Sequence, residues 1–256
     1  PKFAEWYYGP QKRMLGSYTL LVSKKTKMYD NLRFILGYQQ IEESRIDRRL
    51  NSVAQSNRIE NLDIFSANLD LAKKVGKHEM RYGIEGWYNK VNSTAFEKNI
   101  LTGEESPLDT RYASGGATMQ SIAVYATHTW EISDKLIFND GLRLSNVGLN
   151  AKFTDTTFFN FPFKEAVQNN TALTGNLGLI YMPTEDSRLT ALVSSGFRAP
   201  NVDDLGKVFE STPGNITVPN ADLKPEYIYN GEIGFSNRFN GWLTIGATGY
   251  YTLYTN

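Results

Sequence analysis

The chain has 256 residues, and its 27 lysines and arginines balance its 27 aspartates and glutamates. This balance and the lack of any basic tail or charge block argue against a nucleic-acid partner. The absence of cysteine excludes a disulfide framework and a thiolate metal site. No run of 18 apolar residues occurs, which excludes a transmembrane helix.

Ten segments alternate between apolar and polar residues with the period of two that is typical of β-strands, and none has a helical period. Several of them run to about 12–15 residues, longer than the usual ~5–6. The pattern therefore predicts an all-β chain of ten strands. In chain order they are Leu15–Lys24, Leu32–Glu43, Arg58–Leu71, His78–Asn92, Met119–Glu131, Leu136–Asn150, Ala172–Met182, Arg188–Phe197, Tyr227–Asn237 and Trp242–Leu253.

Short and long connections alternate between these strands. We expect the charge-rich stretch from Glu42 to Arg49 to be a solvated loop, and we expect further long loops over Asn92–Thr118, Ala151–Asn170 and after Phe197. In an antiparallel order, all short turns then lie on one edge and all long loops on the other, as in bacterial outer-membrane barrels. A soluble β-sandwich would instead show turn signals every 8–12 residues. The short turns are Lys25–Asn31, Val75–Lys77, Ser133–Lys135, Pro183–Ser187 and Arg238–Gly241.

One face of the predicted strands is too polar for a dry core. In the strand that begins at His78, Glu79, Arg81 and Glu85 share a face. Burying such charges in an apolar interior is costly, whereas a wet lumen accommodates them. The many tyrosines and phenylalanines also fit the aromatic girdles of membrane barrels. The sequence therefore predicts an antiparallel transmembrane β-barrel, with residues 1–256 as a segment of one barrel domain.

The longest predicted loop joins the strand ending at Phe197 to the strand starting at Tyr227. Pro200 lacks a backbone donor and biases Ala199 to an extended conformation, so the first strand should end there. Further turn signals, such as Pro213-Gly214, leave little room for a helix. Loops of this length in compact domains are usually functional or disordered.

The two ends of this loop carry a family resemblance. Phe197-Arg198-Ala199-Pro200, followed by Asn220-Ala221-Asp222-Leu223-Lys224-Pro225-Glu226, resembles the paired boxes of TonB-dependent outer-membrane receptors. The pairing is most typical of receptors for haem, haemoglobin and iron-siderophore complexes. Ala221 departs from the family pattern, which usually has proline there. Weaker phrases extend the resemblance roughly from Trp6 to Tyr254.

The resemblance implies part of a 22-stranded barrel whose plug domain is absent from this chain. It also implies import of an iron complex or haem, with no covalent chemistry, no resident cofactor and energy from the TonB complex acting through the plug. Outer-membrane lipid, lipopolysaccharide and a surface lipoprotein are the further partners that it implies, with no nucleic acid. Because the chain starts without methionine or a signal core, we interpret it as an internal segment. A passive porin-like or structural barrel and a soluble β-rich binding domain remain alternatives.

Two groups of candidate site residues follow. We expect the box residues to fix the base of the long loop, with Arg198, Lys224 and Glu226 structural rather than ligand-binding. The loop phenylalanines either form an exposed interaction surface or pack against one another over the barrel mouth. The loop-base group is Phe197, Arg198, Ala199, Pro200, Asn220, Leu223, Lys224, Pro225 and Glu226, and the candidate ligand-facing group is Arg111, Tyr112, Phe158, Phe159, Phe161 and Phe163.

Few residues offer chemistry to a metal or a catalytic mechanism. The segment from Asn201 to Pro219 contains no histidine, methionine or cysteine, so it predicts no haem ligand, although a loop tyrosine such as Tyr112 is an option. His78 and His128 both lie near short turns, and no spacing links them to a catalytic triad. We interpret them as barrel-wall residues, and we predict no metal site.

Overall fold

The structure is a computed structural model, and it describes residues 2–158, 161, 163–206, 209–212, 215–217, 220 and 222–255. Nearly all of this chain is strand. The elements are β1 (Phe3–Tyr8), β2 (Lys12–Ser23), β3 (Asn31–Arg49), β4 (Ala54–Val75), β5 (His78–Asn99), β6 (Glu105–Pro107), β7 (Ala117–Ser133), β8 (Leu136–Lys152), β9 (Glu165–Tyr181), β10 (Ser187–Arg198), α1 (Val202–Gly206), β11 (Phe209–Thr212), β12 (Asn215–Thr217), β13 (Glu226–Phe239) and β14 (Leu243–Thr255).

Twelve of the described strands form one antiparallel sheet. Its order is β1-β3-β4-β5-β7-β8-β9-β10-β13-β14, with β2 also on β3 and β6 on the end of β5. Strands β11 and β12 form a separate small hairpin. The principal strands are β2 to β5, β7 to β10, β13 and β14. Each of them pairs with the principal strands that precede and follow it in the chain, so the sheet is an up-and-down meander. Its outer strands in this order are β1 with β2 on one side and β14 on the other.

All ten predicted strands are confirmed, and most are longer than the sequence pattern indicated. The prediction of a solvated loop at Glu42–Arg49 is wrong, because these residues continue β3 between β1 and β4. Their charges are accommodated by neighbours: Arg48 binds Glu5 at 3.0 Å and Arg45 binds Glu43 at 3.2 Å. Charged residues can therefore occupy a strand here because oppositely charged partners are within reach, on β1 for Arg48 and on β3 itself for Arg45.

The first strand, β1, was not predicted. It lies along the far half of β3, in line with β2, so that β1 and β2 together form one interrupted strand. The interruption falls at Pro10, which has no N–H for the ladder. The amide of Gly9 still donates to the carbonyl of Ser44 at 2.8 Å, so pairing breaks over only a few residues.

The loops are shorter than predicted and contain some regular structure. Strand β5 runs seven residues past the predicted end at Asn92, and β9 starts at Glu165 inside the predicted loop. The turn signals after Pro200 left little room for a helix, yet the short helix α1, of five residues, forms there. The Asn201 side chain accepts from the Asp204 amide, and the Asp204 carboxylate accepts from the Asn201 amide, both at 3.0 Å. This reciprocal cap compensates for the surrounding turn signals.

The described helical residues include no helix long and apolar enough to cross a membrane.

The two faces of the sheet differ in polarity. One face, the apolar face, exposes large hydrophobic side chains along every principal strand, among them Leu36, Ile84, Val124, Leu144, Leu173, Val193 and Ile233. The other face, the polar face, carries networks of charged and hydroxyl groups. On it the Tyr125 hydroxyl donates to Asp70 and the Arg143 guanidinium pairs with Glu85. Apolar residues outside and polar residues inside are the pattern of a membrane barrel wall.

Tight turns set the geometry of the short-turn edge. Gly76 has φ +58° between β4 and β5, and Asn240 and Gly241 have φ 47° and 75° between β13 and β14. Two successive positive φ values in an Asn-Gly pair match the hairpin turn that this dipeptide predicts. The edge therefore forms where the sequence placed its short turns.

Candidate functional site at the long-loop edge

An aromatic cluster packs the long loops onto the polar face. Phe153 is only 5% exposed, and its ring lies 5.5 Å from Phe161 and 5.6 Å from Phe163, both edge-on. Phe161 and Phe163 stack on each other at 5.4 Å. They rest on buried residues of the loops and the polar face, namely Ala113, Ala117, Leu149, Ala151 and Ala166. The cluster is a small core that holds the loops over the sheet.

The candidate phenylalanines thus separate by position. Phe161 and Phe163 are packed into the cluster, whereas Phe158 is 40% exposed at its margin. Phe159 lies outside the described residues. Phe153, which is the centre of the cluster, was not singled out from the sequence because it follows a strand end with no local signal.

Arg111 and Tyr112 connect two loops. The Tyr112 hydroxyl donates to the Asp203 carboxylate at 2.7 Å, and the Arg111 guanidinium lies 3.8 Å from the same carboxylate. The guanidinium also lies 5.0 Å from the centre of the Tyr112 ring. Since Asp203 belongs to α1, these contacts tie the β6–β7 loop to the loop after β10.

This environment affects what Tyr112 can do chemically. Burial, followed by the hydrogen bond to Asp203, holds the pKa of the Tyr112 phenol well above its usual range. A tyrosine ligates haem iron as phenolate. In the arrangement seen here Tyr112 is therefore a protonated donor to Asp203, and iron ligation would require breaking that contact.

A second set of contacts anchors the same loop to the polar face. Arg58 of β4 binds the Asp109 carboxylate at 2.9 Å and its carbonyl at 3.3 Å. Next to it, Ser93 donates to the buried carboxylate of Glu60 at 3.4 Å and accepts weakly from the Tyr112 amide at 3.5 Å. The loop is thus held by charge pairing as well as by the aromatic cluster.

The two family boxes meet at the base of the longest loop. Arg198 lies opposite Glu226 in register and binds both Glu226 at 3.1 Å and Asp204 at 2.7 Å. Phe197 contacts Tyr227 with ring centres 5.5 Å apart. Arg198, which is the last residue of β10, therefore connects this strand to the helix α1 and to the first residue of β13.

The remaining box residues lie along the returning chain. The Asn220 side chain accepts from the Asp222 amide at 2.9 Å, and the Leu223 carbonyl accepts from Gln168 of β9 at 2.8 Å. Pro200 is buried and Ala199 is half-buried, whereas Lys224 is exposed beside the half-buried Pro225. Among the box residues, Arg198 and Glu226 are thus in direct contact, whereas Leu223 contacts β9 instead.

An exposed aromatic pair on β1 was missed by the sequence reasoning. Trp6 and Tyr8 are 63% and 50% exposed, with rings 5.7 Å apart, and the Arg45 guanidinium lies 5.1 Å from the Tyr8 ring. Arg45 is opposite Arg58 in register, which places this patch on the polar face at the long-loop edge. The run Trp6-Tyr7-Tyr8 was a signal that could have revealed it.

The described residues of the long-loop edge leave space of two very different sizes. A cavity of about 480 Å³ is lined by Val53, Ala54, Glu97, Asn99, Glu104, Glu105 and Ser106. A cavity of about 30 Å³ lies among Asp109, Tyr112, Phe153, Asp155 and Phe158, with room for about one water molecule. Its Asp155 has a pKa held low by hydrogen bonds from the side chain and backbone of Thr157. No group of three or more metal-ligating residues occurs among the described residues. The edge therefore offers exposed surfaces, charge pairs and one larger cavity with an acidic lining.

Comparison with known proteins agrees with this architecture. A family model described as TonB dependent receptor-like, beta-barrel matches residues 5–256. A curated protein, the probable hemoglobin and hemoglobin-haptoglobin-binding protein 3 of Haemophilus influenzae, is 32% identical over 108 residues, which cover 38% of this chain and 10% of that protein.

Two solved structures illustrate the fold. The copper transporter OprC matches with a TM-score of 0.79 at 14% identity, over 95% of this chain and 38% of that chain. The hemophore receptor HasR of Serratia marcescens, a double mutant in complex with its hemophore HasA and heme, matches with a TM-score of 0.68 at 12% identity, over 96% of this chain and 40% of that chain. The chain thus spans well under half the length of these relatives. It belongs to the TonB-dependent receptor family and forms part of the family's β-barrel.

Proposed function

We propose that this chain is a barrel segment of an energy-coupled import receptor in the bacterial outer membrane, and that the cargo is an iron complex or haem. The observation that carries the proposal is the family match over residues 5–256. Two relatives support the cargo, since one is named for hemoglobin binding and another was solved with heme. The TonB complex would supply energy through a plug, and the barrel itself would catalyse no reaction.

The same proposal covers the other partners. Membrane lipid and lipopolysaccharide would surround the apolar face, because exposed leucine, isoleucine and valine side chains there are stable only against an apolar medium. A surface lipoprotein would deliver cargo to the long-loop edge.

The geometry of the long-loop edge supports cargo capture there. The exposed rings of Trp6 and Tyr8 offer stacking surfaces, and Arg45 lies beside them. Arg58, Arg111 and Arg198 are each paired with a carboxylate. An anionic cargo that reaches these arginines would therefore have to replace the aspartates that now pair with them.

Cargo size adds a further requirement. Small-molecule sites are typically about 300–1,000 Å³. The cavity beside Tyr112 and Phe153 is about 30 Å³, whereas the one lined by Glu97, Glu104 and Glu105 is about 480 Å³. Those three glutamates repel an anionic cargo, so beside Tyr112 such a cargo would bind on the outer surface of the loops or displace them. Displacement would break contacts such as Tyr112–Asp203 and Arg58–Asp109.

The test is a titration of the full-length receptor in detergent with haem and with ferric siderophores, followed by tryptophan fluorescence. We expect saturable quenching by one of them, and we expect Trp6→Phe to reduce its amplitude. Trp242→Phe is the matched control, because Trp242 is also well exposed but lies at the short-turn edge. Silence toward every iron complex would favour a passive, porin-like barrel.

A further inference from the structure

The short-turn edge carries a positive charge that is confined to one half. The turns that join β2 to β3, β4 to β5 and β7 to β8 contain five exposed lysines against Asp30 and Asp134, and Asp30 is already bound by Lys73 at 2.7 Å. The turn that joins β9 to β10 instead contains Glu185 and Asp186. The five lysines, here called the basic rim, are Lys24, Lys25, Lys27, Lys77 and Lys135.

In the part of the chain that the structure describes, no lysine of the basic rim forms an ion pair with a carboxylate, and Lys25 acts on Asp30 only through its field. Lys135 donates to the Pro183 carbonyl at 2.9 Å, and Lys77 reaches the Ile132 carbonyl at 3.4 Å. Carbonyl contacts satisfy donors but leave the full positive charge. The rim therefore attracts a negatively charged partner.

A histidine chain lies immediately beside the rim on the apolar face. His78 Nδ1 and His128 Nε2 are 2.9 Å apart, and His128 Nδ1 is 2.9 Å from the Asp140 carboxylate. When Asp140 accepts from His128, His128 accepts from His78, and the exposed His78 presents its other ring nitrogen outward. The pair is faced by Asp140 from β8, and by Val75 and the Lys73–Asp30 pair from the β4 side.

Apolar side chains adjoin the same position. The His78 ring stacks on Trp130 with centres 5.5 Å apart, and Trp130, Val75 and Met80 are exposed on the apolar face. Tryptophan at such a boundary is typical of the interface between hydrocarbon and headgroups. A partner that fits here is apolar toward Trp130 and anionic toward the lysines.

We propose that the basic rim with His78 and His128 binds the phosphate headgroups of anionic phospholipids in the membrane leaflet at the short-turn edge. This inference rests on the membrane placement proposed above. Each lysine near an anionic surface strengthens attachment by about fivefold.

Native mass spectrometry of the full-length receptor, titrated in detergent with phosphatidylglycerol or phosphatidylcholine, tests the proposal. We expect phosphatidylglycerol to bind at least about fivefold more tightly. The Lys24→Gln, Lys25→Gln, Lys27→Gln triple variant should lose most of this preference. The matched control, Lys98→Gln, Lys152→Gln, Lys164→Gln, removes equal charge from the long-loop edge and should keep it.

A second variant addresses the histidines. His78→Gln removes the imidazole that lies beside the rim and should weaken phosphatidylglycerol binding, by less than the triple lysine variant does. The headgroup site would be overturned if both lipids bound equally, or if the rim and control variants lost binding equally. It would also be overturned if the rim bound a periplasmic protein and showed no lipid preference. Binding of neither lipid would instead contradict the membrane placement itself.

Discussion

At the short-turn edge the chain reverses through contacts between near neighbours, whereas at the long-loop edge it is held by contacts between residues far apart in sequence. Thr26 and Tyr29, three positions apart, close the turn between β2 and β3. Tyr112 and Asp203, by contrast, are 91 positions apart. The turns of one edge therefore close by local turn chemistry, and contacts such as Lys73–Asp30 link neighbouring turns. The other edge is formed by tertiary packing, and that is also where we place cargo binding.

The largest expected effect is at the long-loop edge. Phe153→Ala removes the ring at the centre of the aromatic cluster and should cost about 3–5 kcal/mol locally. Hydrogen exchange at Gly115, whose amide donates to the Lys152 carbonyl at 2.8 Å, should rise by about two to four orders of magnitude. Phe158→Ala, at an exposed position, is the control and should change little. Equal effects of the two would show that no core holds these loops.

A smaller effect is expected where two loops meet. Tyr112→Phe removes the hydrogen bond to the Asp203 carboxylate and should cost about 1.5 kcal/mol. Exchange of the Asp204 amide in α1 should rise by about tenfold. Tyr250→Phe, on an exposed ring of β14, serves as the comparison. Unchanged exchange at Asp204 would mean that α1 is held without the β6–β7 loop.

The short-turn edge should respond locally. Gly76→Ala places a side chain at φ +58°, where it meets no neighbour but strains the backbone, at a cost of about 1 kcal/mol. Exchange should increase at the β4–β5 turn and not at the long-loop edge. Gly231→Ala, also without close neighbours but inside a strand, is the control. If Gly76→Ala also raised hydrogen exchange at Gly115, the two edges would not be independent of each other.

The smallest effect concerns acid. Lys73 holds the pKa of Asp30 below its usual range, with help from the Lys74 amide. A carboxyl group whose pKa is lowered by folding stabilises the fold at pH values above its unfolded-state pKa. This stabilisation is lost as the pH falls through the folded-state pKa. Exchange of the Lys74 amide, 3.0 Å from Asp30, should therefore rise below about pH 4. Asp30→Asn should abolish this dependence, and a persistent acid response in that variant would assign it to another group.

This contrast also explains what the sequence could predict. Period-two alternation and turn residues such as Asn240-Gly241 depend on neighbours, so the ten strands and the short turns were predictable. The end of β3 was missed because charges at Glu42–Arg49 suggested solvent, and only the pairing with β1 shows how they are accommodated. Likewise, nothing near Phe153 indicates the rings that cover it. The bridge from Arg198 to Asp204 required knowledge that α1 forms.

The most direct test of the account is hydrogen exchange of the full-length receptor with and without the iron complex or haem that saturates it. We predict that cargo changes exchange in the described segments of the long-loop edge, including Asp109–Gly116 and the stretch around Asp204, and leaves the turns at Gly76 and Asn240 unchanged. Changes confined to the short-turn edge, or none anywhere in this chain, would contradict cargo capture by these loops.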